Sequence, residues 1–340
     1  MKKLLATYQI ITPMFLGNQA GVCDDHIRPT SFKGMLRFWW RALNWSKCWV
    51  DAHQNETAAL KLLHEREGKL FGLDADQGGQ GLFLLSLTNH YPENPENKKL
   101  YKTQPYQEVI RQHGSFLAYG MQGNPRNPAQ SSRSAIQPEQ TFSVTLLAKP
   151  KATQSDIESV EDALTLMGLI GSLGAKARNG FGSLALTKLN DSLFEIKNLE
   201  DFKTKIQSLL TKYPIDQVQT LPPYTAFSQH SRLVKKDNSL KDLSAHYREF
   251  AEENNNNVQK KYLGQPRKHT DNIYGTMKER RASPLWMHIL KTTDKQTHAL
   301  ILFLPAQWKH GENTPLKNYK TIYQWLREGQ SISLKGGQNA

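Results

Sequence analysis

Between Ile27 and Val50 the chain carries five basic residues, Arg28, Lys33, Arg37, Arg41 and Lys47, and no acidic one. In the same stretch Leu36, Trp39, Trp40 and Leu43 recur at three- and four-residue spacings. That period predicts an amphipathic helix from about Phe32 to Val50, with Thr30 or Ser31 placed to cap its first amides. Lys33, Arg37 and Arg41 are four residues apart and share one face. The apolar stripe has to be buried against another element, and Trp39 and Trp40 read first as core side chains. The cationic face begins where unpaired amides already favour anions. No acid lies close in sequence to relieve the repulsion among the three cations, so an external polyanion is expected to do so.

The periodic segments on either side define the fold class. Leu4 to Ile11 alternates as a strand and is ended by Thr12-Pro13. After the basic helix come a helix from about Glu56 to Lys69, strands over Leu82–Thr88 and Thr141–Ala148, a helix over Asp156–Ile170 and a strand over Phe181–Lys188. Residues 89 to 140 are rich in Pro, Asn, Gln and Ser and read as long loops around Phe116-Leu117-Ala118-Tyr119. Strand, helix, two strands, helix, strand is the order of a ferredoxin-like split βαβ unit carrying a large insertion. A composition shift after Lys188 suggests a boundary. We therefore expect an α+β protein with domains at 1–190 and 191–340. In the second half, helices are expected over Leu199–Lys212, Leu240–Glu253 and near Tyr319–Glu328. A hairpin is expected from Leu285–Leu290 and His298–Leu304, but the topology of this half cannot be traced from sequence.

Charge narrows the partners. Lys plus Arg number 44 against 31 Asp plus Glu, a net +13, and a balance this basic favours nucleic acid or an anionic membrane surface. The excess is clustered: Val258 to Arg281 adds seven basic residues against Asp271 and Glu279. Nothing resembles a signal peptide or a span of ~20 apolar residues. Two cysteines, Cys23 and Cys48, cannot make a four-cysteine zinc site. A cytoplasmic protein without a membrane partner is expected.

The second chemistry-bearing segment runs from Leu169 to Leu184, where Gly171, Gly174, Gly180 and Gly182 surround Lys176 and Arg178. Glycines let backbone amides approach phosphates closely, and the two cations add charge. No Gly-Lys-Ser/Thr follows at Walker spacing, and the glycines precede a strand instead of joining strand to helix, so no nucleotide cofactor is implied.

Taken together, Ile11-Thr12-Pro13-Met14-Phe15-Leu16-Gly17 and the run Ile27 to Leu43, with Arg37-Phe38-Trp39-Trp40-Arg41 at its centre, closely resemble the N-terminal signature of CRISPR-associated RAMP proteins. Within that superfamily the chain most resembles the first RAMP subunits of type III-B Cmr effector complexes. Leu70-Phe71-Gly72, Phe116 to Gly120, the glycine-rich loop, Tyr262-Leu263-Gly264 and Arg281 to Leu285 extend the similarity along most of the chain. The resemblance implies two ferredoxin-like, RRM-related βαββαβ domains. It also implies a non-catalytic subunit at the end of the Cmr filament that holds the guide RNA 3′ region and/or target RNA beside other Cmr subunits. Lys33, Arg37, Arg41, Lys176 and Arg178 match residue by residue. With their motif neighbours Arg28, Ser31, Gly34, Trp40, Gly174, Gly180 and Gly182 they make up the expected RNA-binding set.

Some RAMP proteins are metal-independent endoribonucleases that use a histidine in acid–base cleavage at a ribose 2′-hydroxyl. His26 is the candidate for that alternative, but an isolated loop histidine is more often structural. Cys23, Asp24, Asp25 and His26 are adjacent and seldom converge on one ion, so no metal is expected. A membrane-surface role for the basic helix is weaker still, because its tryptophans are better accounted for by core burial.

Overall fold

The computed structural model describes residues 2–17, 26–74, 76, 78–92, 100–122, 133–254, 282–307 and 314–334. The basic segment 258–281 and the acids Asp24 and Asp25 lie outside these residues.

Strand β1 (Lys3–Ile10) is the centre of a five-stranded antiparallel sheet with β2 (Phe83–His90), β5 (Thr141–Ala148), β6 (Leu184–Leu189) and β7 (Ser192–Leu193), in the order β2-β5-β1-β6-β7. Leu4, Ala6, Tyr8 and Ile10 point from β1 into the core, while Leu5, Thr7 and Gln9 point away and stay half-buried. Helices α1 (Pro29–Asp51), α2 (Glu56–Phe71) and α4 (Gln154–Ile170) cover the inner face. α1 starts three residues earlier than its pattern suggests. Pro29 occupies the first helical position, where its fixed φ suits a helix and its missing N–H costs nothing. Arg28 is the N-cap and supplies no side-chain cap. Thr30 and Ser31 thus fall inside the first turn instead of capping it. α4 has the stronger start: Thr153 and Asp156 form a reciprocal capping box.

The stretch expected to be loops holds a helix, α3 (Tyr106–His113), and a two-stranded ladder of β3 (Thr103–Gln104) and β4 (Ala135–Ile136). Tyr106, Val109 and Ile110 carry the helical spacing there, and Pro105 precedes the helix as its N-cap. The signal was short enough to be overwhelmed by the polar residues around it.

The second sheet contains β8 (Arg232–Asp237), β9 (Leu285–Lys291), β10 (Thr297–Phe303) and β11 (Gln330–Ile332), in the order β11-β8-β10-β9. α6 (Leu240–Glu253) follows β8, and α7 (Lys320–Arg327) lies between β10 and β11. Setting β7 aside, both sheets place their first strand between their third and fourth, with the second outside the third, and every pairing is antiparallel.

β9 and β10 are buried on both faces. Trp286, Leu290, Leu300 and Leu302 join the core of α1 and α4. Met287, Ile289, Ile301 and Phe303 face the other way, into a core shared with Tyr247 of α6, Trp325 of α7, Val109 of α3, and Phe15 and Phe181. Contacts cross residue 190 in both directions: α5 (Leu199–Leu210) buries Phe202 and Ile206 in the first core, and α3 packs on α6.

Candidate nucleic-acid interface

At the start of α1 the first turn has neither an acid nor a side-chain cap, so its amides and the helix dipole present positive potential outward. Ser31 and Lys33 are half-buried and Gly34 is exposed. Lys33 pairs with no acid among the described residues, and its ammonium is held below the usual lysine range by burial and then by Arg37. Arg28 donates from Nη2 to the carbonyl of Gly17 at 2.6 Å, which ties the helix start to the segment after β1.

Farther along the face the expectation of an unrelieved cation row needs correction. Glu67 of α2, only 6% exposed, accepts from Arg37 Nε at 2.6 Å and from Arg41 Nη1 at 2.5 Å through the same carboxylate oxygen. The acid comes from the neighbouring helix, 26 to 30 residues away in sequence, so no i±4 reading of α1 could find it. Both guanidiniums stay about a third exposed. The three side chains together keep one net positive charge.

Trp40 is also corrected. Its ring is 2% exposed within the core and its indole N–H donates to Ser159 Oγ at 3.2 Å, so it presents no stacking surface. Lys47, at the far end of α1, sits 4.0 Å over the ring of Tyr213.

The glycine-rich loop reaches the other side of α1. The Arg178 guanidinium lies 5.2 Å from the Phe38 ring and 5.1 Å from that of Trp286, and the two rings stack on each other at 5.2 Å. Arg178 Nη1 also donates to the carbonyl of Ser283. Gly34 lies one turn before Phe38 on the same helical face. A Cβ added at Gly34 would meet nothing within 4 Å. Among the described residues the backbone of α1 is therefore open at Gly34, one turn before the ring that Arg178 covers.

The loop glycines face inward. At Gly174 (φ +96°) a Cβ would lie 2.5 Å from the Phe15 carbonyl oxygen, and at Gly182 (φ +64°) 1.9 Å from that of Leu173. At Gly180 it would lie 2.7 Å from a Leu240 methyl. These glycines let the loop dock on its own chain, so the expectation that they open backbone amides to phosphate is not needed to explain them. What they permit is a joint: Thr12 Oγ1 donates to the Gly180 carbonyl at 2.6 Å, Ser183 N donates to Thr12 Oγ1, and Ile289 N donates to Ser183 Oγ at 3.0 Å. Met287 N adds a bond to the Arg178 carbonyl at 3.0 Å. Lys176 and Arg178 remain half-buried on the outer side of this joint.

His26 is exposed just ahead of α1, and among the described residues no three His, Cys, Asp or Glu side chains group to hold a metal ion. Sequence reading missed Glu67 and Phe38, which decide the charge and the floor of this surface. Only Phe38 left a trace, inside the Arg37–Arg41 motif.

With this geometry in hand, the sequence profile of the RAMP superfamily matches residues 7–185, from β1 through the glycine loop. The chain belongs to the RAMP superfamily. The crystal structure of apo Cmr1 from Pyrococcus furiosus matches this RAMP protein with a TM-score of 0.64 and 17% identity, over 99% of this chain and 100% of that one. A chain of the type III-B Cmr-beta cryo-EM structure bound to cognate target RNA matches with a TM-score of 0.63 and 12% identity, over 96% of this chain and 98% of that one. At such identities the likeness concerns the fold, which is shared end to end. No curated protein matches the sequence. Among the described residues no helix is long and apolar enough to cross a membrane.

Proposed function

We propose that this RAMP protein is a non-catalytic, RNA-binding subunit of a type III-B CRISPR (Cmr) interference complex in the cytoplasm. In this reading it holds the guide RNA 3′ region and/or target RNA at the end of the filament, beside other Cmr subunits. The two sheets, with their common strand order, are read as two ferredoxin-like domains with long insertions. The observation that carries the reading is the start of α1. The first turn of α1 has no side-chain cap and no acid, Lys33 follows it, the helix surface is open at Gly34, and Arg178 lies over Phe38 one turn on, in a protein with net charge +13. Such a surface suits a phosphodiester backbone and reads no base, so sequence choice falls to guide–target pairing. Arg28 and Ser31 flank the same turn, and Lys176 extends the surface along the loop. Arg37 and Arg41 contribute through the single net charge they keep after pairing with Glu67.

The test is fluorescence anisotropy of an end-labelled single-stranded RNA titrated with the full chain at several salt concentrations. Binding should weaken with salt, and Lys33→Ala should lower the log–log slope by about 0.7, the loss of one phosphate contact on a single strand. A signal that rises and then holds fits a binding subunit. A slow fall below the free-RNA value would mean cleavage and would return His26 to the centre.

A further inference from the structure

Among the large apolar side chains exposed on the described surface, one is aromatic: Tyr119, 61% exposed. It stands on a turn that is fixed from within. Its neighbours Leu117 and Ala118 are buried at 1% and 0%, Met121 N donates to the Ala118 carbonyl at 3.1 Å, and Gly120 N donates to Gln122 Oε1 at 2.8 Å. Asn179 of the glycine loop donates from Nδ2 to the Leu117 carbonyl at 2.9 Å, which ties the turn to that loop. At Gly120 (φ +88°) an added Cβ would meet Lys176 Nζ at 3.9 Å and nothing closer, so the ammonium stands beside the turn. Lys176 itself has a φ of +62°, a left-handed conformation that L side chains rarely adopt.

We propose that Tyr119 is a stacking platform for one unpaired base of a bound RNA strand, with Lys176 taking the adjacent phosphate. This rests on the RNA-binding reading above and deepens it. A ring on a turn held by buried neighbours and hydrogen bonds loses little entropy on stacking, and every base offers it a π-face, so the contact tolerates any sequence. The neighbouring cation favours a polyanion over an apolar protein surface as the occupant. The segment after β1 ties the loop to the start of α1: Ala175 N bonds the Phe15 carbonyl at 2.7 Å, and Arg28 holds Gly17 two residues on.

The experiment uses the full chain with single-stranded RNAs carrying one 2-aminopurine, moved position by position along the strand. Stacking on Tyr119 should quench the probe at one position. Tyr119→Ala should remove that quench and weaken binding about tenfold. Its melting temperature and salt slope should stay unchanged, because stacking releases no counterion. Tyr119→Phe should behave like the parent chain, and Lys176→Ala should lower the slope by about 0.7. Wild-type binding that is salt-dependent but unaffected by Tyr119→Ala overturns this proposal and leaves the functional reading intact. Loss of association with Cmr subunits, with RNA binding unchanged, overturns it in favour of a protein contact. Absence of any RNA binding by the wild-type chain overturns both.

Discussion

The start of α1 and the loop after α4 look alike in sequence, each a glycine set among cations, yet they are built for opposite purposes. Gly34 faces outward over open space, whereas Gly182 is pressed against the Leu173 carbonyl by the chain itself. In the middle of a helix glycine costs about 1 kcal/mol relative to alanine, and among the described residues nothing lies within 4 Å of a Cβ added at residue 34. In the loop, glycine is the residue that fits. A glycine's meaning therefore depends on what a Cβ would strike, and that is a property of the fold. The loop builds the joint to β9, while the helix start leaves its surface open at Gly34.

Substitutions in the joint should change stability and spare the salt dependence of RNA binding. Those on the α1 face should do the reverse. The largest effect is expected from Gly182→Ala, which combines a left-handed backbone with a backbone clash. A loss of roughly 3–5 kcal/mol in urea unfolding is expected, and an alteration under 1 kcal/mol would mean the joint is looser than its geometry.

His288, on β9 within the joint, is fully buried, and burial pushes its imidazole down to about 3 against a smaller opposing pull from the Gly171 backbone. The folded state keeps it neutral while the unfolded chain takes up a proton near pH 6.5. Stability should therefore fall as pH drops below 6.5 toward 3, by roughly 1.4 kcal/mol per unit once well under way. In His288→Leu that component of the slope should vanish between pH 6 and 4.5; an unchanged slope would assign it to other groups.

Glu67→Gln belongs to the α1 side and sharpens the contrast. Removing the shared carboxylate charge should cost about 1–2 kcal/mol, because both arginines are a third exposed and solvent screens them. RNA binding should tighten and its salt slope steepen by up to about 0.7, as the net charge of the three side chains rises from one to two. No change in slope would show that they never reach the strand. The smallest effect is Gly34→Ala, which should raise stability by about 0.5–1 kcal/mol while weakening RNA binding. Improvement in both would leave the exposed glycine without a function.

Much of the fold was legible because its signals are local. β5 and α6 run over the residues that their alternation and helical spacing mark, and the β9–β10 hairpin follows from two apolar runs around Thr293-Asp294. β8 was not legible: only Leu233 and Val234 break a polar, basic stretch, and it becomes a strand because β10 and β11 hydrogen-bond to either side of it. Of the candidate site, the apolar stripe of α1 and its cations were visible, but the standing of each cation was not. Arg37 and Lys33 look equivalent on a helical wheel and differ only because α2 brings Glu67 to one of them.

By itself, then, the sequence determined the α+β class, the amphipathic basic helix, the RAMP signature and the surplus of positive charge. All of these rest on spacing within a few residues or on simple counting. Tertiary structure alone decided which cations are neutralised, which glycines are open, and that Tyr119 stands beside Lys176. Each of those depends on a Coulombic or steric contact between elements tens of residues apart, and such contacts exist only once the chain has closed on itself.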